Sequence, residues 1–195
     1  ALGCDFLVIT GHKLYGPTGT GALWAREELL KAMPPFLGGG DMINEVFPDR
    51  FTPAALPNKF EAGTPHIAGA IGLGAALDYI TGIGWPTIQK IEDELTAYAL
   101  KKLKSLDFVK LIGPQGLTGR GPVFSFTMKN VHPHDIAEGL SQKNICIRAG
   151  HHCNQILMAR LLVPGTARIS LAFYNTKEEV DRCIEALVEI NEYFK

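Results

Sequence analysis

The sequence predicts an α/β chain in two parts, with strands and helices in the first part and a small α+β domain in the second. Two observations support this division. The run Gly82-Ile83-Gly84-Trp85-Pro86 interrupts the helical pattern, and beyond the next helix short apolar strands alternate with helical segments. We therefore expect a first domain over residues 1–82, a linking helix over 83–105 and a second domain over 106–195.

The first part begins with a short apolar strand, a Gly-rich turn and a second strand. A helix follows and ends before Pro34-Pro35, because proline cannot continue a helix. Residues 36–60 combine glycines and prolines without a helical period, which predicts a long loop or a hairpin over a site. The predicted elements are strands Phe6–Thr10 and Gly21–Ala25 and helices Glu27–Ala32 and 68–80.

The second part begins with a long amphipathic helix over 87–105, because apolar residues such as Ile88, Ile91 and Leu95 recur at helical spacing. The elements predicted after it are strands Val109–Ile112, Val123–Met128, 145–147 and 167–172 and helices 134–142 and Lys177–Tyr193. A capping box of Thr176 and Glu179 marks the start of the last helix. This pattern favours a mostly antiparallel sheet with helices on one face.

Composition excludes several classes of partner. The 195 residues carry a formal net charge of -1, and their positive charges are scattered, so we expect no nucleic-acid or anionic-membrane surface. No apolar stretch approaches the roughly 20 residues of a membrane span, and no secretory signal is evident. We expect a globular chain that binds neither nucleic acid nor membrane.

Cysteine usage favours a reducing compartment. The four cysteines form no C-x-x-C pair, and the chain is long enough to build a core without disulfides. Cys4, Cys146 and Cys183 lie in apolar patterns, so we interpret them as core residues. The expected location is the cytoplasm.

A lone lysine lies in the segment Thr10-Gly11-His12-Lys13-Leu14-Tyr15-Gly16-Pro17-Thr18-Gly19, directly after an apolar run. Imine formation needs an amine held near a carbonyl and partly desolvated, and Thr10 and His12 add a hydroxyl and an imidazole that suit a phosphate. The alternative is a surface lysine beside a plain turn. A nucleotide P-loop is excluded, because the lysine precedes the glycines instead of closing the loop.

A thiol lies in the segment Arg148-Ala149-Gly150-His151-His152-Cys153. Adjacent cationic groups favour the thiolate, which is the nucleophilic form, so Cys153 is typical of a nucleophile. A metal site at the histidines is the weaker alternative, because adjacent ligands rarely close a tetrahedral zinc site and no second cluster accompanies them. An imine-forming lysine and a separate activated thiol suggest a pyridoxal-phosphate enzyme that handles sulfur.

The lysine segment resembles the cofactor-lysine motif of cysteine desulfurases, in the class V aminotransferase group, and the Cys153 segment resembles the catalytic-cysteine motif of their SufS-like (group II) branch. Residues 61–65 and 167–176 also resemble that branch, in matching order. The resemblance covers all 195 residues, but only about the downstream half of a typical member. It implies the remainder of a fold-type I pyridoxal-phosphate-dependent transferase large domain over 1–82 and a small C-terminal domain with the catalytic cysteine loop.

The resemblance also implies a role for each site residue. Lys13 would bind pyridoxal 5'-phosphate through an imine and move the Cα proton of the substrate. Cys153 would attack the substrate sulfur and retain it as a persulfide. Arg168 would clamp the substrate carboxylate, and Arg148 would supply positive potential near the thiol. Thr64 would reach the cofactor phosphate of a neighbouring subunit, which implies a homodimer.

The implied function is a cysteine desulfurase that converts L-cysteine to L-alanine and supplies sulfur for iron–sulfur cluster assembly through an acceptor protein of the SufE/SufU type. In members whose acceptor carries zinc, a histidine at the position of His134 meets that metal, although His132 and His134 are most simply helix-start residues. The alternatives are a selenocysteine lyase, another class V enzyme such as an aminotransferase or epimerase, and a protein- or metal-binding fragment without catalysis.

The sequence departs from the family pattern after the cysteine. The branch usually has a small residue and then Gln-Pro-Leu-Met, whereas this chain has Asn154-Gln155-Ile156-Leu157-Met158. We expect this change to affect loop mobility, rate and acceptor choice rather than reaction class. The family's aspartate to the pyridine nitrogen and its ring-stacking histidine lie upstream of the lysine. We therefore expect this chain alone to bind the cofactor poorly, to turn over little and to aggregate.

Overall fold

The structure is a computed structural model that describes residues 2–195. It divides into two compact units, and the division along the chain lies between Gly84 and Trp85. The elements of the first unit are β1 (Phe6–Thr10), β2 (Gly21–Ala25), α1 (Glu27–Ala32), β3 (Ile43–Val46), β4 (Phe51–Pro53) and α2 (Ile67–Ile83). Those of the second unit are α3 (Trp85–Lys104), β5 (Val109–Ile112), β6 (Val123–Met128), α4 (Pro133–Ser141), β7 (Arg148–Gly150), α5 (Gln155–Leu161), β8 (Thr166–Ser170) and α6 (Lys177–Tyr193).

Two antiparallel hairpins form the strands of the first unit. β1 pairs with β2 in a regular register from Phe6 opposite Ala25 to Thr10 opposite Gly21, as the apolar runs predict. β3 pairs with β4, so the hairpin is the correct alternative for residues 36–60. Helix α2 extends the predicted helix at both ends and stops at Gly84, whose positive φ of 88° suits glycine at a helix terminus.

The β1–β2 hairpin exposes apolar side chains on both of its faces. Val8 lies opposite Leu23, and the next pair, Leu7 and Trp24, projects to the other face. Val8 is 73% exposed and Trp24 is 53% exposed. Strands that are apolar on both faces are typical of sheets that other elements cover. Aggregation of this chain stays a prediction, and the two apolar faces of the β1–β2 hairpin are the surface through which it would occur.

A buried lysine, Lys59, has a structural role in the first unit. Its Nζ atom donates to the carbonyl oxygens of Leu30 and Lys31, each at 3.0 Å. The last carbonyls of a helix have no intrahelical partner, so this ammonium group satisfies the end of α1. Lys59 therefore stabilises the fold, and its amine is committed to these bonds.

The second unit is a four-stranded sheet in the order β5–β6–β8–β7, with every neighbouring pair antiparallel, which confirms the predicted sheet type. Its core combines inward side chains of β6 with those of α3, α4 and α6, including Phe124, Phe126, Leu103, Leu140 and Leu187. The helix that the sequence places between two domains, α3, supplies Leu103 to this core. The rigid sheet positions β7 and β8, on which the site residues of this unit lie.

Two predictions in the second unit are wrong. The strand expected at 145–147 lies at β7 instead, because only Arg148–Gly150 pair with β8. The helix α5 is absent from the prediction, and of its apolar residues Met158 is buried while Ile156 and Leu157 are exposed. Helix α3 begins two residues before the predicted start, with Pro86 in its first turn, where a missing N–H costs nothing.

Over the part of the chain that the structure describes, no single helix is long and apolar enough to cross a membrane. Helices α2 and α3 pass that test of length and composition only when they are taken together across the break between them.

The predicted capping box at the start of α6 is present. The hydroxyl of Thr176 accepts from the Glu179 N–H at 3.2 Å, and the Thr176 N–H donates to the Glu179 carboxylate at 3.0 Å. We expect Thr176→Ala to lower the free energy of unfolding by about 1 kcal/mol, because an orphan N–H loses its acceptor. Urea denaturation followed by circular dichroism measures this loss, and Thr176→Ser, which retains the hydroxyl, should recover most of it.

Candidate functional site

The predicted site residues Thr10, His12 and Lys13 lie together where β1 ends. Thr10 is the last residue of the strand, and Gly11–Lys13 form one turn of 3₁₀ helix. Backbone bonds close the following loop, with Gly11 N donating to Thr20 O at 2.8 Å and Gly16 N to Gly11 O at 2.9 Å. Lys13 is exposed at this turn, so its amine is accessible to a bound molecule.

Tight backbone packing explains why glycine occupies position 11. A Cβ atom there would lie 2.7 Å from Thr20 Cγ2 and 2.9 Å from the Pro17 carbonyl oxygen, both closer than real contacts allow. The turn that carries Lys13 is therefore fixed against the loop that follows it. Thr64 lies in the same unit, exposed in the turn before α2.

These residues fit the pyridoxal 5'-phosphate that the family resemblance implies. The turn closed around Gly11 presents an accessible Lys13 amine, and the adjoining chain positions carry the Thr10 hydroxyl and the His12 imidazole, which are the donor types that an aldehyde and a phosphate require. Imine chemistry predicts a partly desolvated Lys13. In the structure this side chain is exposed, so the described residues do not shield its amine from solvent.

The second group of site residues lies on β7, β8 and the turn after β7. The Arg148 guanidinium donates through Nη2 to the Cys153 sulfur at 3.3 Å. Cys153 is exposed, so an external reactant can reach the sulfur while the guanidinium remains beside it. A neighbouring guanidinium stabilises a thiolate, which is the form that attacks as a nucleophile.

The turn that presents Cys153 is conformationally strained. Asn154 N donates to His151 O at 2.9 Å, and the two residues between them, His152 and Cys153, have φ values of 54° and 60°. This left-handed region costs residues with a Cβ atom roughly 1–2 kcal/mol each. Strained backbone is concentrated at functional sites, where surrounding contacts hold it, so the geometry marks this turn as a functional candidate.

The His152 ring folds back onto β8. Its Nε2 atom lies 3.0 Å from the carbonyl oxygen and 2.8 Å from the hydroxyl oxygen of Thr166, a fully buried residue. Since a carbonyl oxygen can only accept, Nε2 carries the hydrogen. The other ring nitrogen, Nδ1, is buried without a hydrogen-bond partner among the described residues.

Burial lowers the pKa of His152 below its usual value, and the positive charges of Arg168 and Arg148 and the neighbouring His151 lower it further, against the raising effect of the Thr166 bond. The folded chain therefore holds this ring neutral at a pH where a free imidazole would begin to protonate.

This pKa shift predicts a stability change with pH. Above the usual value of 6.5 the ring is neutral in both states, and as the pH falls the unfolded chain protonates first, so the folded chain loses stability. We expect the wild-type chain to lose more unfolding free energy between pH 7.5 and about pH 5 than His152→Gln, which cannot titrate. Urea denaturation at the two pH values measures the difference, and equal losses would contradict the assigned ring state.

Arg168 lies on β8 directly opposite Arg148 on β7. Its Nε atom is buried and has no hydrogen-bond partner within residues 2–195. Like charges directly opposite each other on neighbouring strands are destabilising. Two guanidinium groups in this arrangement suit a negatively charged ligand.

The structure thus brings the predicted residues together in two groups. Arg148, Cys153 and Arg168 share the β7–β8 edge of the second unit, while Lys13 shares the first unit with Thr10, His12 and Thr64. The sequence pattern gives no signal for Thr166, and it suggests His152 only as a cationic neighbour of the Cys153 thiol or, as the weaker alternative, as a metal ligand. The sequence signal was the His-His pair beside a cysteine, but only the fold shows which residue the ring contacts.

The three other cysteines lie in different environments. Cys183 is buried in the core of the second unit, as expected, and burial raises its pKa to about 11. Cys4 is half-buried, and Cys146 is exposed, so the prediction of a core position is wrong for Cys146. The reason is that Cys146 precedes β7 in a segment that does not pair with the sheet.

Two further histidines, His132 and His134, lie at the start of α4. His132 is the N-cap residue, and its Nδ1 accepts from the His134 N–H at 3.3 Å, in agreement with a helix-start role. No group of three or more His, Cys, Asp or Glu side chains among the described residues could hold a metal ion.

Comparison with known proteins places this fold. The sequence profile of the family described as aminotransferase class-V matches residues 1–183. A protein named "Probable cysteine desulfurase" from Streptomyces coelicolor is 45% identical over 100% of this chain and 46% of its own length. Another of the same name from Xylella fastidiosa (strain Temecula1) is 50% identical over 97% of this chain and 45% of its own length.

Solved structures give the same result. The cysteine desulfurase of Thermococcus onnurineus is similar with a TM-score of 0.93 and 39% identity, over 98% of this chain and 48% of that one. The cysteine desulfurase CsdA of Escherichia coli is similar with a TM-score of 0.88 and 39% identity, over 98% of this chain and 47% of that one. The chain spans about half the length of the relatives it matches.

Proposed function

Because this chain belongs to the class V aminotransferase family, we propose that it forms part of a pyridoxal-phosphate-dependent cysteine desulfurase and carries both the cofactor lysine and the sulfur-accepting cysteine. The observation that supports this proposal most strongly is the Arg148 guanidinium 3.3 Å from an exposed Cys153 sulfur on a strained turn. A structural cysteine needs neither the contact nor the strain, whereas a nucleophile benefits from both.

The residues of the first unit bind the cofactor and move a proton. Thr10 and His12 donate to the phosphate, and the Lys13 amine holds the aldehyde end. When bound, pyridoxal phosphate supplies an electron sink for the carbon that bears the substrate amine. Lys13 would take the Cα proton of the bound substrate and later return a proton to the product.

The residues of the second unit bind the substrate and remove its sulfur. Arg168 orients the substrate carboxylate through its guanidinium group. The Cys153 thiolate forms an S–S bond with the substrate sulfur as the C–S bond breaks, and the electron pair of that bond remains on the substrate carbon. Protonation of this carbon yields L-alanine, and Cys153 holds the transferred sulfur as a persulfide.

The finer assignments are also proposals. The group II, SufS-like branch and a role in iron–sulfur cluster assembly are supported by the Arg-Ala-Gly-His-His-Cys segment, and the exposed Cys153 suits transfer to an acceptor protein of the SufE/SufU type. The exposed Thr64 suits a cofactor phosphate of a neighbouring subunit in a homodimer. The four free thiols suit a reducing compartment, which we propose is the cytoplasm.

Cofactor binding tests the proposal directly. Pyridoxal phosphate is added to the purified chain, alone and together with the part of a relative that this chain does not span. The visible spectrum is recorded, the adduct is reduced with borohydride, and the modified peptide is mapped. We expect a yellow complex fixed on Lys13, weak for the chain alone and strong with the complement. A complemented protein that shows no adduct on Lys13 would overturn the lysine assignment.

A further inference from the structure

The left-handed turn at His152 and Cys153 needs contacts that hold it. The turn itself supplies one backbone hydrogen bond, from Asn154 N to His151 O at 2.9 Å. Turns with two left-handed residues in succession normally use Asn or Gly, which adopt this conformation at low cost. A histidine and a cysteine here are therefore held by side-chain contacts outside the turn.

Two side-chain contacts reach the turn from the neighbouring strands. His152 Nε2 donates to the Thr166 carbonyl at 3.0 Å and lies 2.8 Å from its hydroxyl, and Arg148 Nη2 donates to the Cys153 sulfur at 3.3 Å. Thr166 is fully buried and pairs with Gly150 in the β7–β8 ladder. The anchor of the His152 ring is thus a fixed point of the sheet, while the Arg148 side chain is exposed.

We propose that His152 is a positioning residue, which holds the turn against β8 through Thr166 and thereby keeps the Cys153 thiol beside Arg148. This inference rests on the proposed function, in which that thiol accepts sulfur. His152 acts through Cys153 and need not touch the substrate. The lowered pKa of this partly buried ring agrees with the role, since a charged imidazole would be repelled by Arg148 and Arg168.

The reactivity of the Cys153 thiol tests the proposal without cofactor or substrate. The intact chain is treated with iodoacetamide at pH 7.5, and alkylation of each cysteine is followed by peptide mass spectrometry. Cys146 is exposed but lies outside the turn, so the ratio of Cys153 to Cys146 alkylation corrects for reagent and conditions. Cys183 is buried and reports loss of the core.

Four variants separate positioning from turn conformation. His152→Asn tolerates the left-handed backbone but is too short to reach Thr166, and His152→Gln retains a donor with longer reach. Arg148→Met removes the guanidinium, and the double variant with His152→Asn completes a cycle. We expect His152→Asn to lower the Cys153 to Cys146 ratio about tenfold, as for one lost charge-assisted hydrogen bond, and His152→Gln to restore much of it.

The double variant decides whether His152 acts through Arg148. If His152 acts by keeping Cys153 beside Arg148, His152→Asn should not lower the Cys153 to Cys146 alkylation ratio further once Arg148→Met has removed the guanidinium. An unchanged ratio in His152→Asn, or an equal loss in both backgrounds, overturns the proposal. So does a His152→Asn chain in which Cys183 becomes reactive, because that residue would then support the core. Since alkylation needs no cofactor, failure here is distinct from failure of the Lys13 adduct test.

Discussion

Replacing Lys13 by alanine should abolish the covalent attachment of pyridoxal 5'-phosphate and lower desulfurase turnover by about 10²–10⁴-fold, the range for removal of a positioned acid–base group. The physical reason is that, in the mechanism we propose, one amine both anchors the cofactor and moves the Cα proton. Turnover is measured as alanine release from L-cysteine by the complemented protein, and attachment by borohydride reduction and peptide mapping. Arginine at this position should not restore either, since its guanidinium does not form the link.

Lys59 provides the matched control for this experiment. Its amine donates to two carbonyl oxygens at the end of α1, so Lys59→Met should lower stability and leave the adduct on Lys13 in place. An adduct that moves to another lysine in the Lys13→Ala protein, with turnover retained, would contradict the assignment. Near-normal turnover by the uncomplemented wild-type chain would contradict the expectation that this chain needs the remainder of its relatives' length.

Replacing Cys153 by alanine should remove the persulfide and lower the rate of C–S cleavage by at least about 10²-fold, because the substrate sulfur then has no nucleophile to receive it. Mass spectrometry of the protein after incubation with L-cysteine detects the added sulfur, and alanine release gives the rate. Binding of the cofactor should be unchanged, since Thr10, His12 and Lys13, which we propose hold it, are intact in this variant.

Cys146→Ala is the control for this second prediction, because that thiol is exposed but lies outside the strained turn. It should leave the persulfide on Cys153 and the rate of alanine release unchanged. The same pair of variants separates the two lyase functions when selenocysteine is the substrate. C–Se cleavage that survives Cys153→Ala, together with weak C–S cleavage by the wild-type protein, would favour selenocysteine lyase.

The local sequence pattern is sufficient to predict the bounds of several elements. The strands β1, β2, β5 and β6 and the helix α6 have the predicted bounds, because short apolar runs end at turn residues or helical spacing continues to the end of the helix. The segment 145–147 shows the limit of this argument. Ile145 and Ile147 pack against the core, as their spacing indicates, but strand pairing with β8 begins only at Arg148. Burial and strand pairing are separate properties, and the sequence pattern reports only burial.

The exposed position of Cys146 and the missed helix α5 have a related cause. An apolar segment is buried only if another element packs over it. The local sequence of the segment does not show whether such an element is present. The 7 residues of α5 are too few for a helical period to be recognised, and among its apolar residues Met158 is buried whereas Ile156 is 86% exposed.

The sequence by itself determined the chemistry available to this protein, namely a lysine in a tight Gly-rich turn and a cysteine beside an arginine and two histidines. Residue types and spacing suffice for this, because nucleophilicity and donor capacity belong to the side chains. Only the tertiary structure decided how the second group is arranged. It places Arg148 opposite Arg168, turns Cys153 to the guanidinium through a left-handed turn, and anchors His152 on Thr166. These relations join residues that strand pairing brings together, and no local pattern contains them.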